Sequence, residues 1–256
     1  MNNSTNTIRF EAESVNFFKI TGQPIAYWAS ESLFDIFDSA TTLGEISRPR
    51  VGQNTGDNNR FLRLWFEVSN TDITFNLLHD EMQGTYYKWL PYNKGGDFRR
   101  WYGNQEYLIN WEFDGKEIKD YAVIRNNGKH WSRYIQNVEN MCKAGITWTF
   151  ISSSNFAVRF LPTGFICDVA GSAIFPDDKY MSAICAFLNS SVVYHILKIL
   201  NPTINFQAGN IASLPVEKKI FENKELVELT ENNIVLSKAD WDSFETSWDF
   251  KKHPLL

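Results

Sequence analysis

The chain has 256 residues, of which 21% are charged and 43% hydrophobic, a balance typical of a globular protein with room for one large domain or two modest ones. Its formal net charge of −5 excludes a uniformly basic nucleic-acid coat, so any attraction to phosphate must come from local patches. The aromatic share of 15% favours a compact, strand-rich body.

The cysteines and the N-terminus indicate the cellular compartment. The three cysteines, Cys142, Cys167 and Cys185, are widely spaced and form no CxxC pair, so we expect reduced thiols and neither a disulfide framework nor a zinc site. The N-terminal MNNSTNTIRF lacks an apolar core, and no apolar run reaches membrane-spanning length. We therefore expect a cytoplasmic protein with no membrane partner.

The first quarter of the chain is predicted to start with a polar lead over residues 1–22. Apolar residues on one face then predict a helix over residues 26–40. Within residues 43–66, proline and glycine residues predict a short, polar and basic loop. A strand is expected to follow over residues 61–68.

The middle of the chain is predicted to be mainly β. Between residues 107 and 134, polar and apolar positions alternate, and Asp114-Gly115 offers a tight turn between strands. Further strands are expected over residues 147–151, 156–161 and 165–169.

The last part of the chain is predicted to be helical. Apolar spacing predicts one core helix over residues 179–200, which Asn201-Pro202 ends. After residue 216 the chain becomes charged and locally helical, with Trp241 and Trp248 as candidate anchors onto a neighbour. The elements together predict an α+β fold, with a mixed twisted sheet or partly closed β body and flanking helices. We divide the chain into a lead (1–22), a main domain (23–216) and a charged helical extension (217–256).

Residues 86–102, YYKWLPYNKGGDFRRWY, carry the most informative functional pattern. Lysine and arginine among flat rings suit a polyanion with stackable faces, which indicates a nucleic acid. The Gly95-Gly96 pair would let the backbone turn sharply or approach a ligand closely. The alternative is structural, because aromatic residues also fill β-rich cores and the cations between them would then face solvent.

Motifs for autonomous catalysis are missing from the sequence. The run Gly52-Gln-Asn-Thr-Gly56 lacks the spacing and the following helix of a methyl-donor or dinucleotide turn, and there is no P-loop. An amino-methyltransferase also needs an Asn/Asp-Pro-Pro-aromatic loop, whereas the run after Asn201-Pro202 supplies neither a second proline nor an aromatic residue. No GxSxG elbow occurs. We expect no catalytic residue and no metal site in this chain.

Four blocks of sequence, at residues 49–68, 88–121, 145–176 and 188–216, begin with PRVGQNTGDNNR, KWLPYNKGGDFRR, GITWTFISSSNF and LNSSVVYHILKI. In this order they resemble the PglX family, the adenine-specific DNA methyltransferases of bacterial BREX phage-defence systems. The resemblance covers most of residues 10–256 and falls on the C-terminal part of that family, which is similar to the target-recognition domains of type IIG restriction-modification enzymes and type I specificity subunits. It implies that residues 23–216 form a DNA target-recognition domain.

The resemblance also implies partners and a site. The partners would be double-stranded DNA, a separate adenine methyltransferase module that holds S-adenosylmethionine, and other phage-defence components; no cofactor is expected in this chain. Residues 50–60 look like the family's first recognition-domain loop and residues 88–102 like its basic and aromatic loop. Beside them, a third polar cluster next to a strand comprises Ser152, Ser153, Ser154 and Arg159. The candidate DNA-binding residues are Arg50, Gly52, Thr55, Gly56, Asn58, Asn59, Arg60, Lys88, Tyr92, Lys94, Gly95, Gly96, Arg99, Arg100, Tyr102, Ser153 and Arg159.

Alternatives remain for the loop and for the whole chain. In the loop, Arg50 and Arg60 would anchor phosphates, or else the segment is a structural turn whose Asp57 and Asn58 satisfy backbone amides. The whole chain could instead be one part of a split methyltransferase that depends on S-adenosylmethionine and is active only with its partner. A third interpretation is a protein-interaction module that docks through Trp241 and Trp248.

Overall fold

The computed structural model describes residues 13–20, 22–82 and 87–256. Residues 1–12 and 21 of the expected lead, and Tyr86 of the basic and aromatic stretch, lie outside the described residues. Within the described part of the chain, no single helix is both long and apolar enough to cross a membrane.

Helices lie at both ends of the described chain and between its strands. They are α1 (Ser14–Phe17), α2 (Glu31–Ser39), α3 (Leu43–Ile46), α4 (Asn58–Phe61), α5 (Glu112–Arg125), α6 (Asp178–Leu188), α7 (Ser191–Leu200), α8 (Ala208–Ala212) and α9 (Lys224–Trp241). The longer helices bury one face: α6 buries Met181, Ile184 and Leu188, at the three- and four-residue spacing of helical turns.

The strands form three small sheets. They are β1 (Thr41–Thr42), β2 (Leu62–Leu64), β3 (Trp89–Asn93), β4 (Tyr107–Asn110), β5 (Gly145–Trp148), β6 (Val158–Leu161), β7 (Ile166–Cys167), β8 (Ala173–Ile174) and β9 (Pro215–Val216). The first sheet has the order β2-β4-β3-β7, in which β3 and β7 run parallel and the other pairs antiparallel. A second sheet, β6-β5-β8, is antiparallel, and β1 pairs with β9. The expected α+β class is confirmed.

Two apolar clusters stabilise these layers. In one, Trp148 of β5 is fully buried and packs with apolar residues of α6 and α7. Its Nε1 hydrogen is donated to the Phe206 carbonyl at 2.8 Å. In the other, Trp111 and Ile118 pack with residues of β3 and β4. The candidate interface described below lies between these clusters, where β3, β6 and β7 end or begin.

The expected strands between residues 107 and 134 are wrong after β4, because α5 occupies Glu112–Arg125. Asp114 and Gly115 do not form a hairpin turn. With φ of 57° and 67° they lie in the left-handed region and form a kink at the start of the helix, where an added Cβ on Gly115 would lie 2.9 Å from the Trp111 ring. The buried residues Ile118 and Ala122 then follow at helical spacing.

The single helix expected over residues 179–200 is two helices, α6 and α7, bent by 74°. The break falls at Asn189-Ser190, where the Ser190 hydroxyl caps α7 by accepting the Val193 N–H at 3.3 Å. The expected end at Asn201-Pro202 is confirmed, since α7 ends at Leu200.

Other expected elements are found with shifted bounds. The helix over residues 26–40 is α2, and the strand over residues 61–68 is only β2, followed by a 3-10 turn at Trp65–Glu67. The three strands expected over residues 147–169 correspond to β5, β6 and β7, and the three cysteines are free as expected.

The two C-terminal tryptophans pack against other residues of this chain. Trp241, at the end of α9, is 3% exposed. The Trp248 ring packs against Phe75 and Phe165, with centroid distances of 4.8 and 5.8 Å. This corrects the expectation that both serve as docking anchors. The boundary at residue 216 stays a prediction, although the segment after it packs against the rest of the chain.

Candidate nucleic-acid interface

The loop over residues 50–60 is held against β7 by backbone contacts. The Gln53 N–H donates to the Cys167 carbonyl at 2.8 Å, and the Gln53 carbonyl accepts from Val169 N–H at 3.1 Å. A Cβ added to Gly52 would lie 2.2 Å from the Cys167 carbonyl oxygen, so the two backbones can approach only because residue 52 is glycine. The loop is therefore fixed on the sheet before it reaches α4.

If the loop were only a structural turn, Asp57 and Asn58 would merely satisfy backbone amides. The structure shows this role for Asp57 but not for Asn58. The Asp57 carboxylate caps α4 by accepting the Arg60 N–H at 3.1 Å, which is the expected structural role. The Asn58 side chain instead bonds other side chains: its Oδ1 accepts the Thr55 hydroxyl at 2.6 Å and lies 3.4 Å from Lys94 Nζ. Asn58 thus joins the loop to the end of β3.

A buried carboxylate, Asp168, lies behind this junction. It is 2% exposed and accepts hydrogen bonds from Lys94 Nζ and from the Tyr92 hydroxyl, both at 2.7 Å. Burial, followed by the negative charge of Asp168, raises the pKa of Tyr92 well above its usual value, so the hydroxyl keeps its proton and donates. The ion pair with Asp168 fixes Lys94 in place and offsets its charge.

The Gly95-Gly96 turn is supported from β5 and β6. The two residues have φ of 92° and 101°, in the left-handed region. The Gly95 carbonyl accepts from Arg159 Nη2 at 3.3 Å, and the Gly96 carbonyl accepts from the Thr149 hydroxyl at 2.9 Å. Arg159 is 1% exposed, and burial, aided by nearby Arg99, lowers its pKa to about 10. The loop over residues 50–60, the Gly95-Gly96 turn and Arg159 therefore meet at the end of β3.

A cleft of about 410 Å³ opens over the first sheet at this junction. It is lined by Asn58, Asn59, Leu62, Arg63, Leu64, Glu67, Lys94 and Tyr107. Arg63 Nη1 donates to the carbonyls of Asn59 and Leu62, at 2.7 and 2.6 Å, which orients its guanidinium group. The cleft therefore combines amide groups and cations from two separate segments of the chain.

Most of the predicted cations have partners within the chain. Arg60 pairs with Glu117 at 2.8 Å. Arg99 stacks over the Trp241 ring at 4.8 Å and lies 4.0 Å from Asp240.

Lys88 pairs with Glu112 at 3.5 Å. It precedes β3 whereas Lys94 follows it, so the two lie about 20 Å apart along the strand. Among the described residues, Arg50 and Arg100 form no ion pair. The predicted cations are therefore spread around the junction, with only part of their charge unpaired.

Several predicted contact residues are buried, which corrects their expected role. Arg159, Tyr92, Thr55 and Tyr102 are 1%, 0%, 4% and 5% exposed, so they support the interface from inside and do not present atoms to a ligand. Gly52 and Gly95 are buried as well, and an added Cβ on exposed Gly56 would lie 1.7 Å from Arg125 Nη1. The predicted residues that remain on the surface are Gly56, Asn58, Asn59, Arg60, Gly96, Arg100 and Ser153, together with the partly exposed Arg50, Lys88, Lys94 and Arg99.

Two residues central to the junction were missed at the level of sequence. Arg63 lines the cleft, and its signal was the concentration of arginines between residues 48 and 63. Asp168 orders Lys94 and Tyr92 but gave no signal, because it lies 74 positions from Lys94 in a segment that reads as buried strand. Among the described residues, no group of three or more His, Cys, Asp or Glu could hold a metal ion.

Comparison with known proteins relates the chain to part of two adenine-specific methyltransferases. No family model matches the chain. The adenine-specific methyltransferase PglX of Lacticaseibacillus casei (strain Zhang) is 39% identical over 249 residues, which cover 96% of this chain and 20% of that protein. The adenine-specific methyltransferase BrxX of Escherichia coli O9:H4 (strain HS) is 37% identical over 246 residues, 94% of this chain and 18% of that protein.

The chain is thus homologous to one segment of the PglX/BrxX methyltransferases, which confirms the relationship expected from its sequence. It spans about a fifth of the length of these relatives, which is consistent with a C-terminal region. Among solved structures, the type IIL restriction-modification enzyme MmeI in complex with DNA matches 80% of this chain and 29% of that protein, with 13% identity and a TM-score of 0.48.

Proposed function

We propose that this chain is a DNA target-recognition region of an adenine-N6 methyltransferase in a bacterial phage-defence system. It binds duplex DNA and presents the target to a catalytic module that carries S-adenosylmethionine and lies outside this chain. The homology to the PglX and BrxX methyltransferases supports the enzyme class, and the share of those proteins that it spans leaves room for such a module.

The cleft at the end of β3 is the observation that carries the proposal. It places Asn58 and Asn59, from the clamped loop, beside Arg63 and Lys94. Asparagine can bond adenine through two atoms and arginine can bond guanine in the same way, so these side-chain types suit base edges in the major groove. Because Lys94 is paired with buried Asp168, it serves mainly to position Asn58, and the amides take the larger share of recognition.

The protein-interaction alternative loses its main support. It relied on Trp241 and Trp248, and both pack within this chain. The split-enzyme alternative differs from our proposal only in where the catalytic part is encoded, and it requires the same DNA-binding surface.

Selection of bound duplexes from a random-sequence pool tests the proposal directly. The wild-type chain is expected to enrich a defined motif at low salt. Asn59→Ala removes an exposed amide from the cleft, and it should relax the preference at one or two base pairs and weaken binding to the wild-type motif about tenfold.

Asn232→Ala is the matched control, because Asn232 is an exposed asparagine on α9, outside the cleft. This variant should enrich the wild-type motif with wild-type affinity. Thermal melting of both variants shows whether folding is intact. Enrichment of no motif, or an unchanged motif for Asn59→Ala, would count against recognition by this cleft.

A further inference from the structure

Phe98 is an exposed aromatic residue in the segment that connects β3 to β4. Its side chain is 41% exposed, whereas Tyr92 and Tyr102 on either side are buried. The two tyrosines pack into the protein and anchor the ends of the segment, whereas the Phe98 ring between them faces solvent. Phe98 lines a small surface pocket together with Arg99, Thr149 and Ser152.

The backbone before Phe98 is held rigidly. The three carbonyl oxygens of residues 95–97 all accept hydrogen bonds from side chains. The donors are Arg159 at 3.3 Å, Thr149 at 2.9 Å and Asn104 at 2.7 Å. Because Arg159 is itself buried, its hydrogen bond fixes the turn to the protein core. Little conformational entropy is therefore lost when Phe98 contacts a ligand.

The backbone after Phe98 is fixed to β6. The Trp101 N–H donates to the Val158 carbonyl at 2.9 Å, and the Phe160 N–H donates to the Trp101 carbonyl at 2.7 Å. Just before Trp101, the Arg100 guanidinium lies 5.9 Å from the Phe98 ring and is exposed, without an ion pair among the described residues. Phe98 is therefore a ring on a fixed turn with an unpaired cation beside it.

We infer that Phe98 stacks on a base of the bound DNA while Arg100 contacts the adjoining phosphate, which makes Phe98 a DNA-contacting residue outside the cleft. This inference rests on the DNA-binding function proposed above. An apolar side chain presented to a duplex can open a base step and stack on the exposed face, and a neighbouring arginine offsets the charge of the backbone at the same place. Phe98 supplies the ring for stacking on the base, the neighbouring Arg100 supplies the cation for the phosphate, and the rigid backbone holds both in place.

Photo-crosslinking tests this inference with a readout specific to the residue. The enriched duplex is prepared with 5-iodouracil in place of each thymine in turn, irradiated in complex with the chain, and analysed by mass spectrometry. At one position the crosslink is expected on Phe98. Phe98→Ala should lose that crosslink and bind about tenfold more weakly, whereas Phe98→Tyr, which keeps the ring, should retain both.

Phe113→Ala is the matched control, since Phe113 is 72% exposed and follows β4 at the opposite end of the first sheet. It should bind and crosslink as the wild type does. Wild-type binding without a crosslink on Phe98, or with unchanged affinity for Phe98→Ala, overturns the inference and leaves the recognition function standing. Failure of the wild-type chain to select any duplex overturns both.

Discussion

Gly95 shows how a single residue sets the shape of the candidate interface. Its φ is 92°, and an added Cβ would lie 2.6 Å from the Ala170 carbonyl oxygen. Gly95→Ala is therefore expected to lower the free energy of unfolding by about 1–3 kcal/mol, as measured by urea denaturation. Gly209→Ala is the control, because nothing lies within 4 Å of its added Cβ, and its stability should be unchanged or slightly higher. Equal losses in the two variants would contradict this account of Gly95.

The buried thiols of Cys142 and Cys185 predict how stability depends on pH. Burial raises the pKa of each thiol from 9.0 to about 12. As pH rises above 9, the unfolded chain loses these protons while the native chain keeps them, so the free energy of unfolding should fall between pH 9 and 12. The limit is about 1.4 kcal/mol per pH unit for each thiol.

Urea denaturation at pH 8 and pH 10 measures this dependence. The double variant Cys142→Ala, Cys185→Ala lacks both groups and should lose less stability over the same interval. At pH 8 the native wild type should react slowly with a disulfide reagent, and the urea-unfolded chain should react at all three cysteines. Equal pH dependence of wild type and double variant would show that these thiols are not the cause.

At the scale of elements, Asn189 couples the α6–α7 corner to β6. Its Oδ1 accepts the Val158 N–H at 3.0 Å and its Nδ2 donates to the Val158 carbonyl at 3.1 Å, so the side chain pairs with β6 as another strand would. Asn189→Ala leaves the buried Val158 N–H without this partner, whereas the Val158 carbonyl keeps the Trp101 N–H at 2.9 Å. The expected loss is about 1–3 kcal/mol in the free energy of unfolding, measured by chemical denaturation. Asn232→Ala, at an exposed position of α9, should leave the stability unchanged or slightly higher.

The elements that the sequence predicted correctly are those in which apolar residues recur at a single regular spacing or a clear stop signal ends the element. Strands β5 and β6 and the end of α7 at Leu200 follow directly from apolar runs and from Asn201-Pro202. The errors arise where tertiary contacts override the local pattern. Asp114-Gly115 is typical of a hairpin, yet packing against Trp111 makes it the start of α5, and the bend at Asn189 depends on hydrogen bonds to a strand 31 positions away.

At the scale of the whole molecule, the sequence did not indicate which cations remain unpaired. Hydrogen bonds join Asn58 of the loop to Lys94, and Gly95 to Arg159, so residues singled out in three separate segments lie together at the end of β3. Lys94 pairs with Asp168, 74 positions away, and Arg60 pairs with Glu117, 57 positions away. Residue spacing in the sequence does not predict ion pairs over such separations. The burial of Arg159 could not be predicted from the sequence either, because an arginine in a strand is expected to face solvent.

These ion pairs determine the salt dependence that we predict for DNA binding. Among the described residues, Arg50, Arg63 and Arg100 belong to the predicted segments or line the cleft, are at least partly exposed and form no ion pair. If each contacts one phosphate, the logarithm of the association constant should fall against the logarithm of salt concentration with a slope of about −3.

Removing one of these charges should change that slope by a known amount. Arg63→Ala is expected to bring it to about −2, because one fewer counterion is released on binding. Lys224→Ala, at the first residue of α9 and about 25 Å along that helix from Trp241 beneath Arg99, should leave the slope unchanged. Fluorescence anisotropy titrations of one duplex between 50 and 200 mM salt, or about that range, measure all three slopes. A wild-type slope near −6 would mean that the paired cations Lys94, Arg60 and Arg99 also exchange their partners for phosphate when DNA binds.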